Sequence, residues 1–441
     1  MILLPACRVA AIVVPETDIC CPVLRDEEIK QPCFHLENVH WIDNDGDICT
    51  GSLSSDNGML RLEIRDKGSK NRSDLKALSD GSLILPGMID PHTHFREPGQ
   101  ESKEGIKIGS KAALAGGVTT VLDMPNNKPP IETPEAFENK KALFKKECDV
   151  SWGLHIQAGK TFFGPWPNGI ASVKVYLSKA SEKPGITDVD DLVGIFTSAE
   201  RVTIHAEDET QFCTGKLHHH ESRPLAAVES ALKKISEAYE KVPAEKKPTL
   251  IFCHVATRVE LDWLWNAKAA GWKVYAETCP HYLYWTCEDQ MRIGSGLQVN
   301  PPLREEKDRK ALIEAISDGT IDFIGSDHAP HLPFEKADTT HPPSGIASIE
   351  LMMPLMLNLV DAGIISWKRF IDLCCANASR IYNVEGRDGI KEGNYADLVQ
   401  ISARGAFRAP WPPITRACYH PYRETTFSRR VERVFTAGNP A

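Results

Sequence analysis

Histidines and one aspartate stand at the ends of short apolar runs that are spread over more than half of the chain. The first run ends with His92 and His94. Because side chains alternate faces along a strand, these two imidazoles point the same way and can share a metal ion. Later runs end with His205, His254 and Asp327. One such histidine alone would be typical of ordinary packing, but the set predicts a metal centre that suits zinc.

A lysine lies in a further apolar run, SVKVYL (172–177). A bare ammonium is costly to bury without a partner, and a protonated lysine cannot bind a cation. If the amine of Lys174 reacts with carbon dioxide, the resulting carbamate has two oxygens that can bridge two metal ions. A lysine held by a salt bridge is the alternative, which we would prefer if the histidines were absent.

Parallel strands are needed to bring these residues together. Between about residues 82 and 330 the sequence alternates short apolar runs with amphipathic helical stretches, which is typical of parallel βα units. Eight such runs predict a closed (β/α)8 TIM barrel with its site at the carboxyl ends of the strands. The runs are 83–94, 118–124, 150–157, 172–177, 201–207, 249–257, 273–283 and 322–330.

The two ends of the chain lack this alternation. We predict that residues 1–80 and 385–441 form one small β-sandwich domain and that residues 81–384 form the metal-dependent barrel. The opening run MILLPACRVAAIVVP (1–15) is interrupted by Arg8 and has no basic leader. It therefore predicts a buried strand rather than a signal peptide or a membrane span.

Composition narrows the partners. The 441 residues carry a formal net charge of −9, and lysine and arginine are spread along the chain. This argues against a nucleic-acid or anionic-membrane surface and favours a small polar substrate. The 13 cysteines have no regular spacing, which indicates a reducing, cytoplasmic compartment rather than a disulfide framework.

The combined pattern resembles the amidohydrolase superfamily, and within it the dihydroorotases. The resemblance spans the barrel and the β domain. It implies a cytoplasmic enzyme that reversibly closes N-carbamoyl-L-aspartate to dihydroorotate in pyrimidine biosynthesis. The segments that carry it are PGMIDPHTHFREPG, DMPNNKPP, HAEDE, CHVAT, ETCPHYL, NPPLR and SDHAPH.

The resemblance also implies two zinc ions per subunit, with a hydroxide between them as the nucleophile. Asp327 would act as general base and acid. The implied ligands are His92, His94 and Asp327 for the first ion, His205 and His254 for the second, and carboxylated Lys174 as the bridge. Animal-type relatives have a proposed third metal at the positions of Cys253 and Glu277. We do not expect it here, because a cysteine beside a ligand histidine on a strand faces the other way.

Substrate recognition follows from charge. Both carbamoyl aspartate and dihydroorotate keep one carboxylate unchanged, and a guanidinium fork binds such a group bidentately. Arg96, two residues after His94, is placed to do so. The resemblance adds side-chain contacts from Asn126, Asn300 and His331, and backbone contacts to the ring amide from Pro343 and Gly345.

Other readings of the family resemblance remain open. Allantoinases usually lack an arginine after the His-x-His-Phe segment, and hydantoinases lack the whole FREPG run, so Arg96 favours a dihydroorotase. A silent scaffold subunit for aspartate transcarbamoylase is another alternative, although such subunits are expected to have lost metal ligands. A homodimer and an association with aspartate transcarbamoylase are implied by the family alone.

Two loops could contribute to a site. The stretch 178–187 follows the lysine strand and is either a lid over the substrate, with Ser181 or Thr187 closing on it, or a plain surface loop. The tract His218 to His220 could bind a metal, but its position before a helix favours a surface loop.

Overall fold

Strands and helices alternate along most of the chain in the computed structural model, which describes residues 34–68, 80–159, 164–179, 183–338, 340–437 and 439–440. The run 1–15, predicted to be a strand, lies outside them. The strands are β1 (His35–Ile42), β2 (Ile48–Asp56), β3 (Met59–Lys67), β4 (Leu83–Pro86), β5 (Met88–Thr93), β6 (Val118–Asp123), β7 (Ser151–Gln157), β8 (Ile170–Tyr176), β9 (Arg201–His205), β10 (Thr249–Phe252), β11 (Val274–Thr278), β12 (Phe323–Ile324), β13 (Leu398–Ile401), β14 (Phe407–Arg408), β15 (Thr426–Phe427), β16 (Val431–Thr436) and β17 (Asn439–Pro440).

The helices fall mainly between the strands of the middle region. They are α1 (Ile106–Ala115), α2 (Pro134–Glu147), α3 (Val189–Ser198), α4 (His219–Ser222), α5 (Leu225–Lys241), α6 (Arg258–Ala269), α7 (Pro280–Tyr284), α8 (Cys287–Ile293), α9 (Glu306–Asp318), α10 (Pro333–Lys336), α11 (Met352–Asp361), α12 (Trp367–Ile371) and α13 (Asn377–Tyr382). Among the described residues, no helix combines the length and the apolar character that crossing a membrane requires.

Strands β5 to β12 form one parallel sheet in sequence order, and this sheet curls round so that its first and last strands meet. Thr93, at the end of β5, forms a parallel bridge with His328, which follows β12. The His94 N–H donates to the His328 carbonyl at 2.9 Å. The predicted eight-stranded barrel is confirmed, and its closure lies at the carboxyl ends of the strands.

The first predicted run, 83–94, is divided between two sheets, so its prediction as a single strand was wrong. Its first half is β4, which pairs with β1 and β13, and its second half is β5 of the barrel. Gly87 separates them. A Cβ at Gly87 would lie 2.1 Å from Thr119 Oγ1, so only glycine lets the chain pass from one sheet to the other here.

A second sheet joins segments from both ends of the chain. Its seven strands have the order β17-β16-β13-β4-β1-β2-β3. Trp41, Leu53, Leu398 and Phe435 are buried together in its core. Strand β4 belongs to this sheet, so the N-terminal part of the sheet reaches a few residues past residue 80. The barrel and this sheet together give the predicted fold class.

Helix α5 shows how the amphipathic stretches cover the barrel. Its predicted apolar stripe is buried, with Val228 and Ile235 fully inaccessible and Leu232 and Tyr239 only 3% and 2% exposed. Steps of four, three and four residues keep these side chains on one helix face. The stripe therefore attaches the helix to the outside of the barrel.

A buried ion pair ties helix α2 to the strand ends. Lys140 Nζ lies 2.7 Å from Asp123 Oδ2, and both side chains are almost completely buried. Removing one partner of such a pair leaves an uncompensated charge. We therefore expect Lys140→Met to lower the free energy of unfolding by about 3–5 kcal/mol. Urea unfolding measures this, with half-exposed Lys141→Met as the control; equal effects of the two changes would contradict it.

Candidate active site

One cavity of about 390 Å³ opens at the carboxyl ends of the barrel strands. Eleven of the twelve residues predicted for the site line it, and the twelfth, Lys174, is completely buried. The structure thus brings together residues separated by more than 250 positions in the chain. The eleven are His92, His94, Arg96, Asn126, His205, His254, Asn300, Asp327, His331, Pro343 and Gly345.

The first group of candidate metal ligands joins β5 to the end of β12. Asp327 Oδ1 lies 3.0 Å from His94 Nε2 and 3.5 Å from His92 Nε2. Asp327 has the left-handed φ of 44°, a strained conformation for aspartate that turns its carboxylate towards the imidazoles. Burial opposes its ionisation, but the two imidazoles outweigh burial and hold the pKa of Asp327 below its usual value. The three donor atoms therefore converge on one point.

The second group consists of two imidazoles that face each other. His205 Nδ1 and His254 Nε2 are 2.9 Å apart, and the His92 and His254 ring centroids are 5.3 Å apart, so the two groups adjoin. His254 Nδ1 is buried and has no hydrogen-bond partner among the described residues. Burial lowers the pKa of both His205 and His254, which favours the neutral form that binds metals.

Lys174 is completely buried, and its charge contributes to lowering the pKa of both His205 and His254. Its Nζ is 2.8 Å from Cys253 Sγ and 5.0 Å from the Tyr176 ring centroid. Within the part of the chain that the structure describes, no carboxylate oxygen comes within 4.0 Å of this ammonium. A buried ammonium without an anion is unfavourable, whereas a carbamate beside two cations is not. The donor set thus fits two metal ions with a carboxylated lysine between them.

Three polar side chains fix the outer nitrogens of the ligand histidines. Glu277 Oε1 lies 2.7 Å from His92 Nδ1, Glu207 Oε2 lies 2.9 Å from His205 Nε2, and Asn126 Oδ1 lies 2.6 Å from His94 Nδ1. Such partners set the tautomer and direct the other nitrogen inwards. This role was not predicted from the sequence for either glutamate, although both lie in the segments HAEDE and ETCPHYL. Asn126, predicted to contact the substrate, lines the cavity and also contacts His94.

Cys253 does not face away from the ligands, so the argument from strand alternation was wrong. Its sulfur belongs to a group with His92 and Glu277 in which all the donor atoms lie within 4.8 Å of one another. The reason is local. Strand β10 ends at residue 252, and the next histidine, His254, has a φ of 38°. Alternation of faces does not continue beyond the last residue of a strand.

Arg96 is a buried cation at the wall of the cavity, 8% exposed and with a left-handed φ of 68°. One terminal nitrogen lies 3.2 Å from His331 Nε2, and its Nε has no hydrogen-bond partner among the described residues. Within the same residues no carboxylate oxygen comes within 4.0 Å of it. Burial lowers the pKa of Arg96, which is the sign of an unpaired desolvated charge. This guanidinium is therefore suited to an anionic ligand.

Four further cations, which were not predicted from the sequence, line the cavity. They are Lys103, Lys128, Lys179 and Arg223. Lys103 pairs with Glu335 at 2.8 Å, and Arg223 pairs with the buried Glu207. Because the basic residues outnumber the acidic ones at the cavity wall, the cavity attracts negatively charged molecules. No single motif contains these residues, so only the fold reveals the cluster.

The tract His218 to His220 is connected to the cavity through Asn300, which lines it. His219 begins helix α4 rather than lying in a surface loop, and its Nε2 is 2.8 Å from Asn300 Oδ1. At the start of this helix the Glu221 carboxylate accepts from the His218 N–H at 3.2 Å. In the other loop, Ser178 lines the cavity, Thr187 is half-buried and Ser181 lies outside the described residues.

A buried glutamate links the site to the C-terminal part of the chain. Glu104 Oε1 lies 3.3 Å from Nε2 of His328, the residue after Asp327. The other oxygen accepts from Thr415 Oγ1 at 2.7 Å and from the Arg416 N–H at 2.9 Å. Glu104 is completely buried. Residues 415 and 416 therefore help to hold the strand end that carries Asp327.

Comparison with known proteins agrees with this geometry. The profile of the amidohydrolase family matches residues 83–241 and 259–441. The chain is 35% identical to a dihydroorotase of Halobacterium salinarum over 72% of this chain and 76% of the relative. It is 33% identical to a dihydroorotase of Methanosarcina mazei over 85% and 86%. An L-hydantoinase from Arthrobacter aurescens has the same fold, with a TM-score of 0.79, 22% identity and coverage of 92% and 95%. The chain therefore belongs to the amidohydrolase family.

Proposed function

We propose that this protein is a dihydroorotase, which reversibly closes N-carbamoyl-L-aspartate to (S)-dihydroorotate and water in pyrimidine biosynthesis. The observation that carries this proposal is the buried guanidinium of Arg96, without a carboxylate partner among the described residues, in the wall of the cavity that holds the candidate ligands. A carboxylate that stays unchanged through the reaction would pair with it. The relatives named dihydroorotase support the same substrate.

We propose zinc at the two groups of ligands. His92, His94 and Asp327 would hold one ion, His205 and His254 the other, and carboxylated Lys174 both. When bound, the two ions would supply an activated water and polarise the reacting carbonyl. Neutral imidazoles with carboxylate-type oxygens are the ligands that zinc prefers.

In this proposal Asp327 moves the proton. In ring opening, its carboxylate accepts a proton from the attacking water and passes it to the departing ring nitrogen. In closure, it removes a proton from the carbamoyl nitrogen. Arg96 and His331 orient the unchanged carboxylate, and Asn300 with the backbone of Pro343 and Gly345 faces the ring. Closure consumes one proton overall, so the equilibrium shifts towards dihydroorotate at lower pH.

Substitution of the guanidinium tests the choice of substrate. We expect Arg96→Met to raise KM for both dihydroorotate and carbamoyl aspartate by about 10–100-fold, the equivalent of about 1.5–3 kcal/mol for a charged hydrogen bond. Steady-state assays in both directions measure this. Lys128→Met, which removes another cation from the cavity wall, is the matched control and should have a smaller effect. Unchanged Michaelis constants in Arg96→Met would show that the carboxylate binds elsewhere.

The decisive experiment is the ultraviolet detection of dihydroorotate consumption by zinc-loaded protein, run beside allantoin and hydantoins. The fold shared with hydantoinases keeps these neutral rings as the second candidate substrates. A preference for hydantoins over dihydroorotate would overturn the proposal. A silent scaffold would show no turnover of any of them, yet this chain keeps all six predicted ligands. The cytoplasmic location, the homodimer and the association with aspartate transcarbamoylase stay predictions.

A further inference from the structure

Lys336 is a buried lysine whose ammonium meets carbonyl oxygens instead of carboxylates. Its Nζ donates to the carbonyls of Pro343 and Gly345 at 2.9 Å each and to that of Gln298 at 3.2 Å. Among the described residues, no carboxylate oxygen comes within 4.0 Å of it. Burial lowers the pKa of Lys336 to about 7. All three ammonium protons can be donated, which is the condition for burying such a group.

The three acceptors belong to two separate segments of the cavity wall. One is the rim segment, residues 342–345, of which three residues line the cavity. The other contains Gln298, two residues before Asn300. Gln298 also bonds the rim segment directly, because its Nε2 donates to Pro342 O at 2.6 Å and its carbonyl accepts from the Gly345 N–H at 2.8 Å. Lys336 therefore completes a closed set of hydrogen bonds between the two segments.

The backbone of the rim segment is tightly constrained at its last residue. Gly345 has a φ of 133°, which L side chains rarely adopt. A Cβ there would lie 2.4 Å from the carbonyl oxygen of Ala329, which also lines the cavity. The rim segment thus packs closely against Ala329 and is also held by the hydrogen bonds of Lys336. Small shifts of its backbone would change the spacing of the groups that face the cavity.

We propose that Lys336 is a positioning residue for substrate binding, which fixes the rim segment so that the backbone at Pro343 and Gly345 meets the ring amide in one geometry. For its kinetic part this proposal rests on the proposed function. The rim segment orients the ring when it binds, whereas the bond change itself is carried out by Asp327 and the activated water, so we expect the lysine to contribute mainly to uniform binding. Its loss should raise KM and leave kcat nearly unchanged.

The test uses Lys336→Met, which keeps the length of the side chain but removes its donors. We expect KM for dihydroorotate to rise about tenfold or more, with kcat within about threefold of wild type. Hydrogen–deuterium exchange should become faster in peptides that cover residues 340–349, while metal content stays at the wild-type level. A matched control is Lys268→Met. This lysine also donates to a carbonyl, that of Thr320, at 2.8 Å; it additionally pairs with Asp322 and lies outside the cavity.

Three outcomes are decisive. If Lys336→Met and Lys268→Met lose stability alike and neither changes KM or exchange at the rim segment, Lys336 has only a structural role. If Lys336→Met does not fold, Gln298→Leu replaces it. This change removes the side-chain contacts of Gln298 with Pro342 and Ser344 and leaves its backbone contacts in place. It should raise KM less, in the same direction; an unchanged KM would overturn the proposal. If wild type does not consume dihydroorotate, the proposed function fails, and the exchange measurement still decides whether Lys336 orders the rim segment.

Discussion

Replacing Asp327 by asparagine should lower kcat by about 10³-fold or more in both directions, since general acid–base catalysis contributes about 10²–10⁴-fold. Asparagine keeps an oxygen atom beside His92 and His94 that could bind a metal ion, but it cannot accept and return a proton. The strained backbone at this residue keeps the side chain aimed at the imidazoles in either variant. We therefore expect metal content to stay close to the wild-type level while turnover is lost.

The measurement combines metal analysis with assays of ring opening and ring closure. Asp322→Asn is the control. Asp322 precedes strand β12, which Asp327 follows, but it pairs with Lys268 at 2.7 Å and does not line the cavity. It should change stability without a comparable loss of kcat. Turnover of Asp327→Asn near that of wild type would remove Asp327 from its proposed role.

Replacing Lys174 by methionine should remove both the activity and the tight binding of metal. The ammonium is completely buried near His205 and His254, where its carbamate would be the only protein ligand shared by both ions. Without it, the histidine pair loses an anionic ligand, and we expect activity to fall by about 10³-fold or more, as for loss of an activated water. Metal content should fall below two ions per subunit.

The dependence on bicarbonate tests the carboxylation of Lys174 independently of the substitution. Metal-free wild-type protein reconstituted with zinc should regain activity slowly when bicarbonate is excluded and quickly when it is supplied. Isotopically labelled bicarbonate should give a carbamate signal in the NMR spectrum of wild type and none in Lys174→Met. An active enzyme with unmodified Lys174 would contradict the carbamate.

The barrel, and the gathering of the candidate ligands at its mouth, were predictable because their signals are local and periodic. Each strand is an apolar run with a polar residue at its carboxyl end, and eight such runs leave few other arrangements. His92 and His94 share a face by strand alternation alone. The approach of His205, His254 and Asp327 to these two imidazoles then follows from closure of the sheet.

What the sequence did not reveal depends on positions where regular periodicity stops. Cys253 follows a strand that has already ended, so alternation gave the wrong face. The cations at the cavity wall come from loops of different βα units, and their neighbourhood exists only in three dimensions. Gly87 lies inside one continuous apolar run, and nothing in that run indicates that the chain changes sheet there.

The hydrogen bonds of Glu104 have a consequence for how the protein is made. Its carboxylate is satisfied by residues 415 and 416, more than three hundred positions later, and it contacts the imidazole next to Asp327. During synthesis, the growing chain exposes the histidines of the first barrel strand long before that C-terminal segment emerges. The candidate ligands therefore reach their final order late, so metal loading should follow the synthesis of residues 415 and 416 rather than that of the first barrel strand.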